Sequence, residues 1–202
     1  GDGKPTSILS SRHNNKYDVF FAKYDTNGIY QWAYGVKSDA NDYGRGIAVD
    51  ELGNVYITGQ FKNTVDFDPD PSHEVHSTEI GGDGKPTSTL TSNPEGKSGR
   101  YGLHGDIFLA KYDKDGIYQW AQSFGCRAGT LCGRSSSRGQ NIGYSVAINS
   151  EGPDDDGVYV DYVYITGTFL GSDVEFGPLG LAAGVTDCKL SDRPRGGGSL
   201  RR

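Results

Sequence analysis

The sequence predicts an all-β protein built from repeated four-stranded antiparallel units, about two of them in this chain. Three observations carry that prediction. Residues 18–33 (DVFFAKYDTNGIYQWA) return as residues 106–121 (DIFLAKYDKDGIYQWA), identical at 12 of 16 positions with an offset of 88. The composition is low in apolar residues (34%) and high in Gly (31 of 202), yet holds 13 Tyr and 8 Phe. That is the balance of short strands and tight turns, and it is too aromatic for a disordered chain. No stretch keeps apolar residues at spacings of three and four beyond two turns, so no helix is expected.

The elements follow in order. GDGKPTS at 1–7 returns at 82–88, so residues 1–17 read as the end of a preceding repeat. The first copy offers strands at 18–24, 29–36, 44–49 and 54–61, each rich in Val, Ile, Tyr and Phe and bounded by turn residues. The turns at 25–28 (DTNG) and 50–54 (DELGN) place Gly where a hairpin needs positive φ. Residues 18–105 make up this first unit. It includes a VDFDP extension at 65–69 and a polar linker with weak edge strands at 73–78 and 87–91.

The second unit, 106–180, repeats the strands at 106–112, 117–124, 143–148 and 162–169. Two insertions enlarge it. One, at 125–141, carries Cys126, Cys132 and Ser135 to Ser137; the other, at 151–161, carries Asp154, Asp155 and Asp156. Insertions confined to turns are expected to leave the strand core intact. Residues 181–202, with Arg193, Arg195, Arg201 and Arg202 around a glycine run, read as a flexible basic tail.

DVFFAKYD at 18–25, a strand closing on Trp at 29–32, and DYGRGIAVDELGNVYITG at 42–59 follow one another. A G-x-F-x-x-T-V-D-F-D-P extension follows at 59–69. This pattern resembles the bacterial β-propeller repeat family called SBBP, over roughly residues 16–69 and 104–178. The second copy departs from it by its insertions and by Glu175 and Gly177 in the extension. The resemblance implies propeller-type blades of four antiparallel strands, each burying a face against the next. Val19, Phe21, Ile47, Val49, Val55 and Ile57 are expected on one such face, with Trp32 and Trp120 packed between blades. Closed propellers use about four to eight blades, so the remaining blades are expected from a longer precursor or from further copies. The absence of Met fits an excised piece of such a precursor.

Charge excludes one class of partner. A net charge of −6 and an isoelectric point near 5.1 leave no basic face for nucleic acid. No apolar run approaches the roughly 18 residues of a membrane span. Cys126 and Cys132 bracket a short loop that a disulfide would close in an exported protein, and reduced thiols are the alternative; Cys188 is then free or paired with another chain. Asp66, Asp68 and Asp70 alternate along VDFDPDP, which would set three carboxylates on one side of an extended strand, a donor set suited to Ca²⁺. The competing reading is a solvated acidic loop.

The turns at 25–28 and 113–116 resemble the start of an EF-hand, but Val36 and Phe124 stand where its closing Glu belongs. His73 and His76 would point to opposite faces of a strand, and His13 and His104 precede first strands as loop residues. No nucleophile elbow, phosphate loop or zinc spacing is present. The expected function is therefore non-catalytic: an extracellular or cell-surface scaffold for binding or assembly, with other blades, copies of itself, or an extracellular protein or glycan as partner. The alternatives are a calcium-stabilised carbohydrate- or protein-binding domain, and a fragment of a propeller enzyme whose site lies on other blades.

Overall fold

A computed structural model describes residues 8–13, 15–68, 88–92, 105–126, 141–153, 159–169, 174–176 and 189–190. Among them all regular structure is β. The strands are β1 (Val19–Tyr24), β2 (Tyr30–Val36), β3 (Tyr43–Val49), β4 (Val55–Phe61), β5 (Thr64–Asp66) and β6 (Thr89–Thr91). The second copy adds β7 (Asp106–Tyr112), β8 (Tyr118–Cys126), β9 (Ile142–Pro153), β10 (Tyr159–Thr168), β11 (Val174–Glu175) and β12 (Lys189–Leu190).

The sheets do not follow the copies. The four strands of one copy were expected to form one sheet, but the continuous antiparallel run is β3-β4-β7-β8, with β11 and β12 continuing it past the end of β8. β4 pairs in register with β7 from Val55↔Tyr112 to Phe61↔Asp106. The last two strands of the first copy thus join the first two of the second. β1-β2 and β9-β10 are separate hairpins, one lying on each face of that central sheet.

Alternation along the central strands builds both interfaces. On one face Val55, Ile57, Phe61, Phe108, Ala110 and Tyr112 meet Val19, Phe21, Trp32 and Val36 of the β1-β2 hairpin. Val65 and Phe67 from the extension complete this core, the Phe67 ring 5.1 Å from Phe108 and 5.7 Å from Phe61. On the other face Tyr56, Ile107, Leu109 and Phe124 meet Val146, with Ala48, Trp120, Ile148, Val163 and Ile165 around them. Every residue of β4 is buried. Each fully buried large apolar side chain contributes roughly 1.5–3 kcal/mol. Exposed ion pairs such as Arg12–Asp39 belong to a class worth about 0–1 kcal/mol, so the two apolar interfaces hold the stack together.

Several expectations are corrected. Val19, Phe21, Val55 and Ile57 share one core, but Ile47 and Val49 are exposed. The β1-β2 hairpin lies over β4, β7 and β8 and meets β3 only at its end, where Val19 approaches Gly44. The insertion at 151–161 is not wholly a turn: β9 and β10 extend into it, pairing Glu151 with Val160 and Pro153 with Tyr159. Within the expected tail, Lys189 and Leu190 pair with Glu175 and Val174.

Candidate functional site

The aspartates of the hairpin turns hold backbone. Three turns share one geometry. The Asp25 carboxylate accepts from the amides of Asn27 and Ile29, Asp50 from those of Leu52 and Asn54, and Asp113 from those of Asp115 and Ile117, all at 2.8–3.0 Å. Each turn carries Gly three residues after the Asp at positive φ: Gly28 (79°), Gly53 (85°) and Gly116 (84°). Asp uses both side chain and main chain to close the turn, and Gly takes the left-handed position at no steric cost. These are hairpin turns, as the sequence predicted for 25–28 and 113–116, with carboxylates turned inward to amides.

Asp50 is the most engaged. Burial works against its charge, but Asn54 through side chain and backbone, the Lys111 ammonium and the Tyr56 hydroxyl outweigh it and hold its carboxyl below the ordinary value. Tyr56 Oη donates to Asp50 Oδ2 at 3.3 Å, and Lys111 Nζ sits 5.0 Å from the Tyr56 ring centre.

The β1-β2 hairpin caps the facing turn of the central sheet. Trp32 Nε1 (3.3 Å) and Lys23 Nζ (2.9 Å) both donate to the Lys114 carbonyl, and Tyr34 Oη donates to that of Asp115 (3.5 Å). A Cβ on Gly116 would fall 2.2 Å from the Tyr34 ring. Trp32 is thus a packing residue between sheets, as expected, and Trp120 takes the matching place against Tyr56, ring centres 6.1 Å apart.

A second constellation joins the start of β3 to the strands around it. The Asp42 amide donates to the Tyr17 carbonyl (2.7 Å), and Asp42 Oδ1 accepts from the Lys62 amide (2.9 Å). Asp42 Oδ2 is buried with no hydrogen-bond partner. Burial pushes this carboxyl up to about 6; the Ser38 hydroxyl and Lys62 amide oppose the rise, and the Asp18 charge adds to it. The second copy places Asp106 and Asn141 at the matching positions, with Asn141 Nδ2 donating to Asp106 Oδ1 at 3.5 Å. One copy sets a carboxylate beside a carboxylate where the other sets an amide. Sequence reading passed over this pair; the signal was the Asp-to-Asn difference between copies.

The candidate calcium ligands are only partly placed. β5 ends at Asp66, and Asp66 Oδ1 accepts from the Asp68 amide at 3.0 Å, while the Phe67 amide donates to the Ser88 carbonyl at 2.9 Å. Between them Phe67 is wholly buried, its carbonyl accepting from Tyr112 Oη at 2.7 Å. Burial, reinforced by Tyr118, Asp68 and Asp66, pushes the Tyr112 phenol well above its ordinary value. Asp70 lies outside the described residues, as do His73, His76, His104, Cys132, Cys188 and the Cys126 side chain. Among the described residues no three His, Cys, Asp or Glu side chains converge as metal ligands, and no helix is long and apolar enough to cross a membrane.

Stacked antiparallel sheets with repeated hairpin turns are the architecture of propeller blades, and a family comparison agrees. Residues 35–60, from the end of β2 to the end of β4, match the family model described as a beta-propeller repeat, SBBP. That stretch is similar to one SBBP β-propeller repeat. It is also similar to an uncharacterized WD repeat-containing protein, L264, of Acanthamoeba polyphaga mimivirus. The two are 25% identical over 119 residues, which is 59% of this chain and 8% of that protein. The SBBP match falls on β3 and β4, two strands of the central sheet, and on the Asp50 turn between them.

Proposed function

We propose that this chain is a non-catalytic propeller scaffold, exported or displayed at a cell surface, whose work is binding or assembly through its blade faces and inserted loops. One observation carries the reading. The polar residues shared by the two copies are spent on turns and on caps between sheets: Asp25 and Asp113 on backbone amides, Trp32 and Lys23 on a backbone carbonyl. What differs between the copies is the loops at 125–141 and 151–161, where a repeat scaffold usually presents its contacts.

A thermal-shift panel of divalent cations, nucleotides, quinones and flavins tests the non-catalytic part. No redox cofactor is expected to move the melting temperature, and a stoichiometric shift by one would overturn the reading. Export is tested by thiol titration of the non-reduced, denatured protein. One free thiol among the 3 Cys is expected if Cys126 and Cys132 are joined, and three free thiols count against an oxidising compartment.

A further inference from the structure

We infer that the β1-β2 hairpin of a second copy of this chain completes β9-β10 into a four-stranded blade, joining copies head to tail. The inference rests on the scaffold reading and names its partner. The central sheet shows the rule: the hairpin β3-β4 from one copy of the repeat takes the hairpin β7-β8 of the next along the β4 edge. β9-β10 corresponds to β3-β4, and β1-β2 corresponds to β7-β8. Among the described residues each outer hairpin is therefore half of a blade, and the two halves are of opposite kind. The β4↔β7 register, carried over by the repeat, sets Val163 opposite Tyr24, Tyr164 opposite Lys23 and Ile165 opposite Ala22.

Burial supports the same conclusion residue by residue. Phe20 is 72% exposed and Tyr24 59%, while their counterparts Phe108 and Tyr112 are both at 0%. Tyr164 is 55% exposed and its counterpart Tyr56 only 1%. Ile47 and Val49 are exposed, but their counterparts Val146 and Ile148 pack against the core around Tyr56. In the head-to-tail arrangement each exposed residue meets what covers its counterpart. Phe20 and Tyr24 face the Leu109 and Trp120 side of the first copy's central sheet, and Tyr164 faces Ile47 and Val49 of the second. Gly28 is likewise exposed where Gly116 is buried under Tyr34. The turn it belongs to would sit beneath Lys111 and Trp120, as the Lys114 turn sits beneath Lys23 and Trp32. A second copy is the occupant because it supplies both the matching face and an edge strand that no other described residues supply.

Sedimentation velocity over a concentration series is the test. Head-to-tail association rising with concentration is expected. Phe20→Asp should weaken it roughly tenfold or more, since an aromatic ring loses its burial, and should leave the melting temperature of the dilute protein unchanged. Oxidising a mixture of Lys23→Cys and Tyr164→Cys chains should yield a cross-linked peptide pair between copies, read by mass spectrometry, whereas Lys23→Cys with Tyr162→Cys should not. A chain that stays monomeric throughout, or association that survives Phe20→Asp without the 23–164 cross-link, overturns the inference. The former is the outcome expected if repeats elsewhere in a longer chain fill these edges. Either failure leaves the scaffold proposal standing, because that proposal turns on the cofactor panel.

Discussion

Asp42 is held by main-chain and hydroxyl partners, and one of its oxygens is buried without any. A carboxyl in that position resists ionisation, and its value rises from the ordinary 3.8 to about 6. The folded state therefore keeps a proton that the unfolded chain loses earlier. Below about pH 4 the group favours neither state, and as pH rises from 4 through 6 the ionised form increasingly favours unfolding. At 1.36 kcal/mol per pH unit of difference, the cost at neutral pH is roughly 3 kcal/mol. Asn141 shows that the fold accepts an amide at the matching place, where it donates to Asp106. Asp42→Asn is expected to raise stability at pH 7 by up to ~3 kcal/mol, and to flatten the loss between pH 4 and 6. Urea midpoints of both proteins at pH 4 and pH 7 check this. Equal pH slopes for the two would mean that Asp42 is not the group responsible.

The hairpin turns make a controlled comparison at the level of the element. Gly28 and Gly116 occupy the same turn at nearly the same φ (79° and 84°), but nothing lies near a Cβ on Gly28 and the Tyr34 ring blocks one on Gly116. Ala at either position carries the left-handed penalty of about 1 kcal/mol. Gly116→Ala adds displacement of Tyr34, roughly 1–3 kcal/mol more as overpacking, so it is expected to lower the urea midpoint further than Gly28→Ala. These turns were legible in the sequence because Asp and Gly at fixed spacing are a local signal. Strand positions were legible for the same reason, as alternation within five to eight residues. Strand partnership was not. β4 finds β7 across residues 62–105, and nothing in VYITGQF distinguishes a neighbour in its own copy from one in the next. Ile47 and Val49 misled for a related reason: their alternation marks a face, but whether a face is covered depends on how far the opposing hairpin reaches. The Asp66, Asp68 and Asp70 reading rests on alternation along an extended strand; β5 ends at Asp66, whose carboxylate accepts from the Asp68 amide, and Asp70 lies outside the described residues.

Seen whole, the described molecule is three layers sharing one middle sheet, which is the floor of two cores. Truncation on either face should weaken the same cooperative unit. Phe67→Ala removes a ring from the β1-β2 side and Leu109→Ala removes a side chain from the β9-β10 side. Each is expected to cost roughly 3–5 kcal/mol and to shift one common transition seen by both tryptophan fluorescence and far-ultraviolet circular dichroism. Two separated transitions would show that the layers unfold independently. The half-copy offset between sequence and sheet also bears on how such a gene can change length. A recombination event that drops or adds one copy of the repeat can break the coding sequence at any matched pair of positions, in a strand, a turn or a linker. Because the central sheet is assembled from the end of the first copy and the start of the second, the rejoined chain again offers a β4-like edge to a β7-like partner. The number of blades can then drift between lineages while the packing rule passes intact through each event.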